Sequence, residues 1–476
     1  MTRFISIFTF ILVLWISPVA AQDNNKDANT AKLEQLFQNH INTLKQQYGE
    51  DSFSVKGKIL AEKAENYYAV TLPEIKINMD QGKSLNIGLI AINASPIKGS
   101  DDWKMTVALP SPFYLTNKAG EQLGQLNIGT QKFSGVYNES LQGFNKANLA
   151  YNNVTYSDLK TNDVLSIEKL RLTNDLKSKG DTWFGPTNAK AENITFGNNT
   201  KTKEALFIRN VDADIILENY NPDKTKSLSQ QLVANSGNTA DLVGGLLKAA
   251  GNSQTKVKIK DFAMINPETK KASFKINNIR FDSDTDVAND NKLNVTHLVQ
   301  YDGLNSARKG GLFDLVPSDM QTRLTLKNLP VEDLIKAEDA IAKGRKSPQA
   351  NQKAQALGTV ADILKKSGAQ MMLEDTIFKS ALYQLNLNGN IKAASTPTGA
   401  IGNLLVEMTG LEAVMNKLQG DPIGKSVAAQ LAILQIISEK KGDKNVIDIK
   451  AGEDGKILVN GKDMSAMSGL MSGGGS

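Results

Sequence analysis

Three aspartates at alternate positions, Asp282, Asp284 and Asp286, form the densest carboxylate cluster in this chain. Carboxylates at that spacing can wrap a hard cation such as calcium. A full calcium loop also needs glycine at its sixth position and glutamate at its twelfth. Val287 and Leu293 stand there instead. The run therefore reads as a polar hairpin loop after a Phe274–Phe281 strand, with a weakly held calcium ion as the alternative. Neither a tightly held metal nor a cofactor is expected.

Other chemistry is thinner. Gly420-Asp-Pro-Ile-Gly424-Lys425-Ser426 approaches a phosphate-binding loop, but it has three residues between its glycines where four are needed. Pro422 also lacks the N–H that a phosphate cradle would use. Helix capping is the expected role. The two histidines are His40, beside the apolar stripe of a helix, and His297, in the middle of Val295-Thr-His-Leu. Neither has metal-ligand spacing to another histidine, and structural or surface roles are expected for both. Ser-x-x-Lys occurs at Ser95, Ser157, Ser166 and Ser438, but its Ser-Asp-Asn and Lys-Thr-Gly partners are missing. There is no Gly-x-Ser-x-Gly elbow. The chain has no cysteine, which removes thiol nucleophiles, zinc–thiolate sites and lipoprotein acylation together.

Residues 1–21 carry an address. Arg3 precedes an apolar run from Phe4 to Ile16, Pro18 breaks it, and Val19-Ala20-Ala21 supplies small residues for cleavage before Gln22. The run is too short to span a bilayer as a helix. The mature chain is expected in a bacterial periplasm or outside the cell, with no integral span after cleavage. Export without disulfides is feasible because 476 residues can bury a large core. Of 55 lysines and arginines, Arg3 leaves with the signal, so 54 face 50 acidic residues. That near balance argues against a nucleic-acid partner, which needs a clustered basic face.

The elements follow from hydrophobic period. Residues 22–49 are a linker and an amphipathic helix over Thr30–Tyr48, with Leu33, Leu36, Phe37, Ile41 and Leu44 at helical spacing. Thr30 should cap it and Gly49 end it. Residues 50–221 alternate apolar and polar residues in run after run, without a βαβ rhythm. This predicts an antiparallel sheet with one buried face. Residues 222–253 read as a helical insert, 254–463 as a second β region with covering helices, and 464–476 as a disordered Gly/Ser/Met tail. The fold class expected is α+β, mainly β, with long curved antiparallel sheets covered by several helices. Near the C-terminus, Leu404, Met408, Leu411, Met415 and Leu418 suggest one helix. A second, starting at Asp421-Pro422, is apolar nearly all round through Val427, Ile433, Leu434 and Ile436, and so should be a buried core element.

One pattern recurs: a strand, then asparagine, then another apolar pair. It appears in Tyr151-Asn-Asn-Val-Thr-Tyr, Ala191-Glu-Asn-Ile-Thr-Phe and Leu324-Thr-Leu-Lys-Asn-Leu. The stretch Leu324–Leu334, with strand running into helix, and the terminal Asp454–Gly461 resemble the YdgA-like families of Gram-negative exported proteins of unknown function. They are loosely similar to AsmA-like envelope proteins. The likeness covers mainly the part after residue 256. It implies long curved sheets and an envelope location, and it transfers no catalytic residue. Typical members keep their N-terminal apolar segment as an anchor.

Two readings of function follow. The first is an exported non-enzymatic envelope protein that holds a lipid or other apolar ligand in a groove of a long β-sheet. The second is a structural or protein-interaction module of the periplasm, whose partner is another envelope protein. A hydrolase is a remote third. An outer-membrane barrel is disfavoured by an aromatic content of 6%, too low for interfacial girdles.

Overall fold

The computed structural model describes residues 27–464, apart from 49–52, 80–81, 142, 199–203, 234–238, 289–291, 308–309, 338–349, 397–398 and 420–423. The proposed signal segment and most of the Gly/Ser tail lie outside the described residues. The chain divides into two units. One holds residues up to Asp223 together with Met264–Lys271, and the other holds Lys224–Ala263 with everything from Ala272 onward. The fold is α+β and mainly β, and every strand pairing described below is antiparallel. No described helix is long and apolar enough to cross a membrane.

The first unit opens with helix α1 (Ala28–Tyr48). Its strands are β1 (Phe53–Lys56), β2 (Leu60–Lys63), β3 (Tyr68–Met79), β4 (Lys83–Pro96), β5 (Trp103–Ala108) and β6 (Phe113–Thr116). Longer strands follow: β7 (Gln122–Asn138), β8 (Gly143–Asp158), β9 (Asp163–Asp175), the short β10 (Lys177–Lys179), β11 (Thr182–Asn198) and β12 (Ala205–Tyr220). Neighbours pair through β3–β4, β4–β5, β5–β7, β7–β8, β8–β9, β9–β11 and β11–β12.

Helix α1 starts at Ala28, before the predicted Thr30. Thr30 lies inside the first turn and is buried, and the Oδ1 of Asp27 accepts the Asn29 N–H at 3.2 Å in its place. The apolar stripe of Leu33, Phe37 and Ile41 is buried in one continuous cluster with Val70, Ile75, Ile92, Met105, Phe113 and Leu149. Glu34 Oε1 accepts the Ala61 N–H at 3.1 Å, which ties the helix to β2.

The recurring asparagine has a structural reason. On β8, Leu149 and Tyr151 are buried, and so are Val154 and Tyr156. Strict alternation would turn the second pair to the other face. Asn153 adopts φ +52° between them, and the register with β9 continues unshifted from Asn152–Lys169 to Val154–Ile167. Asn193 does the same on β11 with φ +52°. Asparagine is among the few side chains that visit this left-handed region at low cost. The motif thus keeps one face apolar along a strand longer than its twist would otherwise serve.

The second unit begins with helices α2 (Pro222–Val233) and α3 (Thr239–Ala250), then β13 (Asn252–Ile265), β14 (Ala272–Val287), β15 (Leu293–Asp302) and the short β16 (Asn305–Ser306). After a 3-10 turn at Gly311–Leu315 come β17 (Asp319–Leu329), α4 (Val331–Lys336) and α5 (Ala350–Ser367). Then follow β18 (Gln370–Lys379), β19 (Gln384–Ala393), β20 (Ala400–Thr409), α6 (Leu411–Gln419) and α7 (Lys425–Ile437). The chain closes with β21 (Glu439–Lys441), β22 (Lys444–Ala451), β23 (Ile457–Val459) and β24 (Lys462–Asp463). Pairing runs β14–β15–β17–β18–β19–β20–β22–β23.

Three expectations are corrected here. Leu404 and Met408 lie on strand β20, and only Leu411, Met415 and Leu418 are helical. Gly410 separates the two elements at φ +75°, with its missing Cβ position only 2.0 Å from Leu382 O, so no other residue fits. The Asp282–Asp286 run is not a loop; it is the second half of β14. Finally, α7 is not a buried core helix. It packs through Ala428 and Leu431 on Val414 and Leu418 of α6. Val427, Ile433, Leu434 and Ile436 stand in the open, with Leu434 42% and Ile436 82% exposed.

Candidate functional site

Residues directly opposite across a ladder share a face. Tracing the register across the second unit therefore shows what each face carries. Val295, Leu326, Met371 and Ile391 form one row. His297, Leu324, Leu373, Gly389, Leu404 and Ile449 form the next. Thr376, Leu387, Val406 and Ile447 form a third. Tyr301, Met320, Phe378, Leu385 and Met408 form a fourth. No Lys, Arg, Asp or Glu occurs in these rows.

Two kinks keep the rows apolar. The register shifts on β18 between Leu373 and Thr376, and Asp375 within the shift has φ +48°. That extra residue is a β-bulge, and it returns Thr376 and Phe378 to the face of Met371 and Leu373. On β17, Asn328 at φ +55° returns Leu329 to the face of Leu324 and Leu326. Its amide is held by its surroundings: its N–H donates to Asn294 Oδ1 at 2.9 Å, and its Nδ2 donates to Gly368 O at 3.3 Å.

The opposite face is mostly polar. It carries Asn386, Asn388 and Asn390 of β19, Lys450 of β22, and Arg280, Asp282, Asp284 and Asp286 of β14. Asp282 is engaged by the guanidinium of Arg280, whose Nε lies 3.0 Å from each carboxylate oxygen. Asp286 Oδ2 accepts from Asn294 Nδ2 at 3.2 Å. On an extended strand the three carboxylates form a line down one face, so they do not converge on a point as metal ligands must. Among the described residues no three His, Asp or Glu side chains are placed to hold a metal ion.

The apolar face is half open. Phe281, Val299, Met371 and Ile391 all remain exposed, the last two by 43% and 45%. Of the four rows, only Thr376 and Ile447 are buried. His297 sits in the second row, stacked on Phe281 with ring centroids 5.8 Å apart and planes 24° apart. Its Nδ1 is buried and finds no hydrogen-bond partner in the protein.

In the first unit the apolar face of the sheet is largely buried, and a cavity of about 130 Å³ lies beneath α1. Leu36, Phe37, His40 and Ile41 of the helix line one side, and Ile75, Ile92, Ile128 and Tyr151 are among the sheet residues lining the other. The sequence placed His40 beside the apolar stripe with a structural role. The structure buries it against the cavity, and burial pushes its imidazole down to about 4. Burial also raises the Tyr151 phenol to about 12, so it is un-ionised at any ordinary pH. A sequence reading had no signal for this cavity, because a void is a property of packing between distant strands. Residues 420–423 of the phosphate-loop lookalike lie outside the described residues. Gly424 and Lys425 lead directly into α7.

No family model matches the chain, and no curated protein matches it in sequence.

Proposed function

We propose that this chain is an exported, non-enzymatic envelope protein that holds the acyl chain of a lipid on the apolar face of its second unit. The observation carrying this reading is the charge-free, half-exposed face spread over β14–β23. Eight paired strands at about 4.8 Å spacing make a surface about 34 Å across. Lipid tails of one leaflet are about half of a bilayer core of about 30 Å, so one or two tails fit along it. Apolar surface of that extent on a soluble protein marks a binding site. The likeness of Leu324–Leu334 to exported envelope proteins and the signal-like residues 1–21 favour the location.

Native mass spectrometry of the full chain purified from cells without detergent tests the reading. Lipid adducts are expected on the wild type and not on Met371→Lys/Ile391→Lys, which puts two charges into one row. A wild type free of adducts overturns it.

A second reading, a protein-interaction module, is favoured by one observation, the exposed apolar side of α7. Cross-linking from Ile433→Cys to a single envelope protein, with no lipid on the sheet, is the outcome that reading requires.

A further inference from the structure

The register places one polar cluster on the otherwise apolar face of the second unit. Ser283 stands directly opposite His297, and Thr285 lies two residues along β14 on the same side. Side chains opposite across a ladder have Cβ atoms about 5 Å apart, and side chains two residues apart on a strand about 7 Å. The three groups are therefore close enough to meet one ligand group. Around them stand Phe281, Val295, Val299 and Leu324. Phe281 and Val299, opposite one another in the next position, are 38% and 37% exposed, so the face is open here. Ser283, Thr285 and His297 are themselves only half-buried. Among the described residues their side chains make no hydrogen bond. The Nδ1 of His297 is closed off, which leaves Nε2 as the ring nitrogen that meets the open face.

We infer that this cluster is the polar end of the acyl-chain site, and that it selects a neutral lipid with free hydroxyl groups, an acylglycerol. The inference rests on the lipid reading of this face and adds the class of lipid. The hydroxyl preference comes from the groups present. Serine and threonine hydroxyls both donate and accept, and an imidazole nitrogen does one or the other according to its proton. A ligand hydroxyl meets all three in either case. The neutrality comes from the charges around them. No Lys or Arg occupies the rows of this face. Arg280 and the three aspartates of β14 lie on the other side, where Lys258 and Lys260 line a pocket with Arg280 and Gln300. A phosphate headgroup on the cluster would set its charge beside Phe281 and Val299 without a cation to pair it, which is costly. From His297 the row runs on through Leu324, Leu373, Gly389, Leu404 and Ile449. That row gives the hydrocarbon its direction, across the strands and away from the cluster.

The test uses the full chain stripped of co-purified lipid and three probes of one chain length, each titrated by calorimetry: monodecanoylglycerol, methyl decanoate and decyl phosphate. The wild type should bind monodecanoylglycerol about tenfold tighter than methyl decanoate, and decyl phosphate no tighter than the methyl ester. In Ser283→Ala/Thr285→Val/His297→Leu the preference for the glycerol ester should fall to about one, while methyl decanoate still binds. His297→Gln keeps a hydrogen-bonding group on the face and should retain most of the preference. Ser283→Ala/Thr285→Val leaves the ring stacked on Phe281 and serves should the triple variant fail to fold; it should lower the preference about threefold. Equal affinity of the wild type for the two esters, an unchanged preference in the variant that folds, or tightest binding of decyl phosphate overturns the inference and leaves the acyl-chain reading standing. No binding of any probe to the wild type overturns that reading, and the inference with it.

Discussion

Both units build their sheets from the same kind of strand, apolar on one side and polar on the other, and kink it with asparagine or aspartate to keep it so. In the first unit most of that apolar side lies in one cluster running from Leu33 on α1 through Val70 and Ile92 to Ile167 on β9, and only towards β11 does a residue such as Phe196 stay exposed. In the second unit the equivalent rows leave Phe281, Val299, Met371 and Ile391 in the open, and the clustered core lies instead between α6, α7 and the 3-10 turn. The difference comes from what packs on the sheet. Helix α1 lays a full apolar stripe on β1, β2 and β3. In the second unit α5 touches β17 and β19, while α6 and α7 pack mainly on one another. Alternation in a strand therefore specifies which side is apolar, and it says nothing about whether that side is covered.

The sharpest way to break this comparison is to place a charge on each face. Val70 is 1% exposed in the first unit. Val70→Asp strands a carboxylate in the core at a cost of several kcal/mol, and the chain should lose soluble folding. Met371→Lys/Ile391→Lys in the second unit should fold, with a melting temperature close to wild type, because both side chains already reach water. Measuring soluble yield and thermal melts of both variants decides it. Similar damage from both would mean that the second face is as closed as the first.

The next effect in size concerns His40, buried on the first unit's apolar face. His40 is held near pKa 4 by burial, against an ordinary value of 6.5. As pH falls through 6.5 the unfolded chain takes up the proton first, while the folded chain cannot until about 4. Stability from this group is therefore intact above about pH 6.5 and lost as pH drops towards 4, by up to about 3 kcal/mol. Urea melts at pH 7, 5.5 and 4.5 should show that loss in the wild type and a smaller one in His40→Leu.

The kinks offer a smaller, more local probe. Asn328→Val forces a β-branched residue to φ +55°, which costs about 1–2 kcal/mol. It also turns Leu329 away from its row. Asn328→Gly should recover most of the loss, since glycine adopts that conformation freely. Equal destabilisation by valine and glycine would trace the effect to the lost bond to Gly368 O and not to the backbone.

The sequence made some of this legible. Period-two runs gave the antiparallel sheets, and helical spacing gave α1 to within two residues of its start. The repeated asparagine was visible as a pattern, but its meaning was not, since a left-handed φ is a backbone property that asparagine permits and does not announce. The Asp282–Asp286 run looked like a loop because aspartate has low strand propensity and three fall within five residues. Thr296, Val295 and Asn294 on β15 supply the ladder that overrides it. For Leu404 and Met408, spacing of four fits a helix and also an even-numbered strand, and only Gly410 marked the boundary. Neither the cavity nor the half-open face was readable at all, because both depend on which surfaces meet.

Helix α7 carries the smallest expected effect, and it bears on the same comparison from outside the sheet. Its sequence is apolar on nearly every side, which in the first unit's terms would mean a core helix. In the structure it behaves like the open sheet: Ala428 and Leu431 face α6, while Val427, Ile433, Leu434 and Ile436 face away. Leu434→Asp should accordingly leave the fold intact and shift stability by about 0.5 kcal/mol or less, as an exposed surface substitution does. Ala428→Asp, one side of the helix away, puts its carboxylate against Val414 and Leu418 and should cost several kcal/mol. The pair separates two causes. If Leu434→Asp melted as low as Ala428→Asp, something must bury Leu434 in solution, and the open half of this molecule would be a surface that the protein itself closes. If it melts like the wild type, the apolar side of α7 stands free, and its composition is explained by what it meets, not by what it supports.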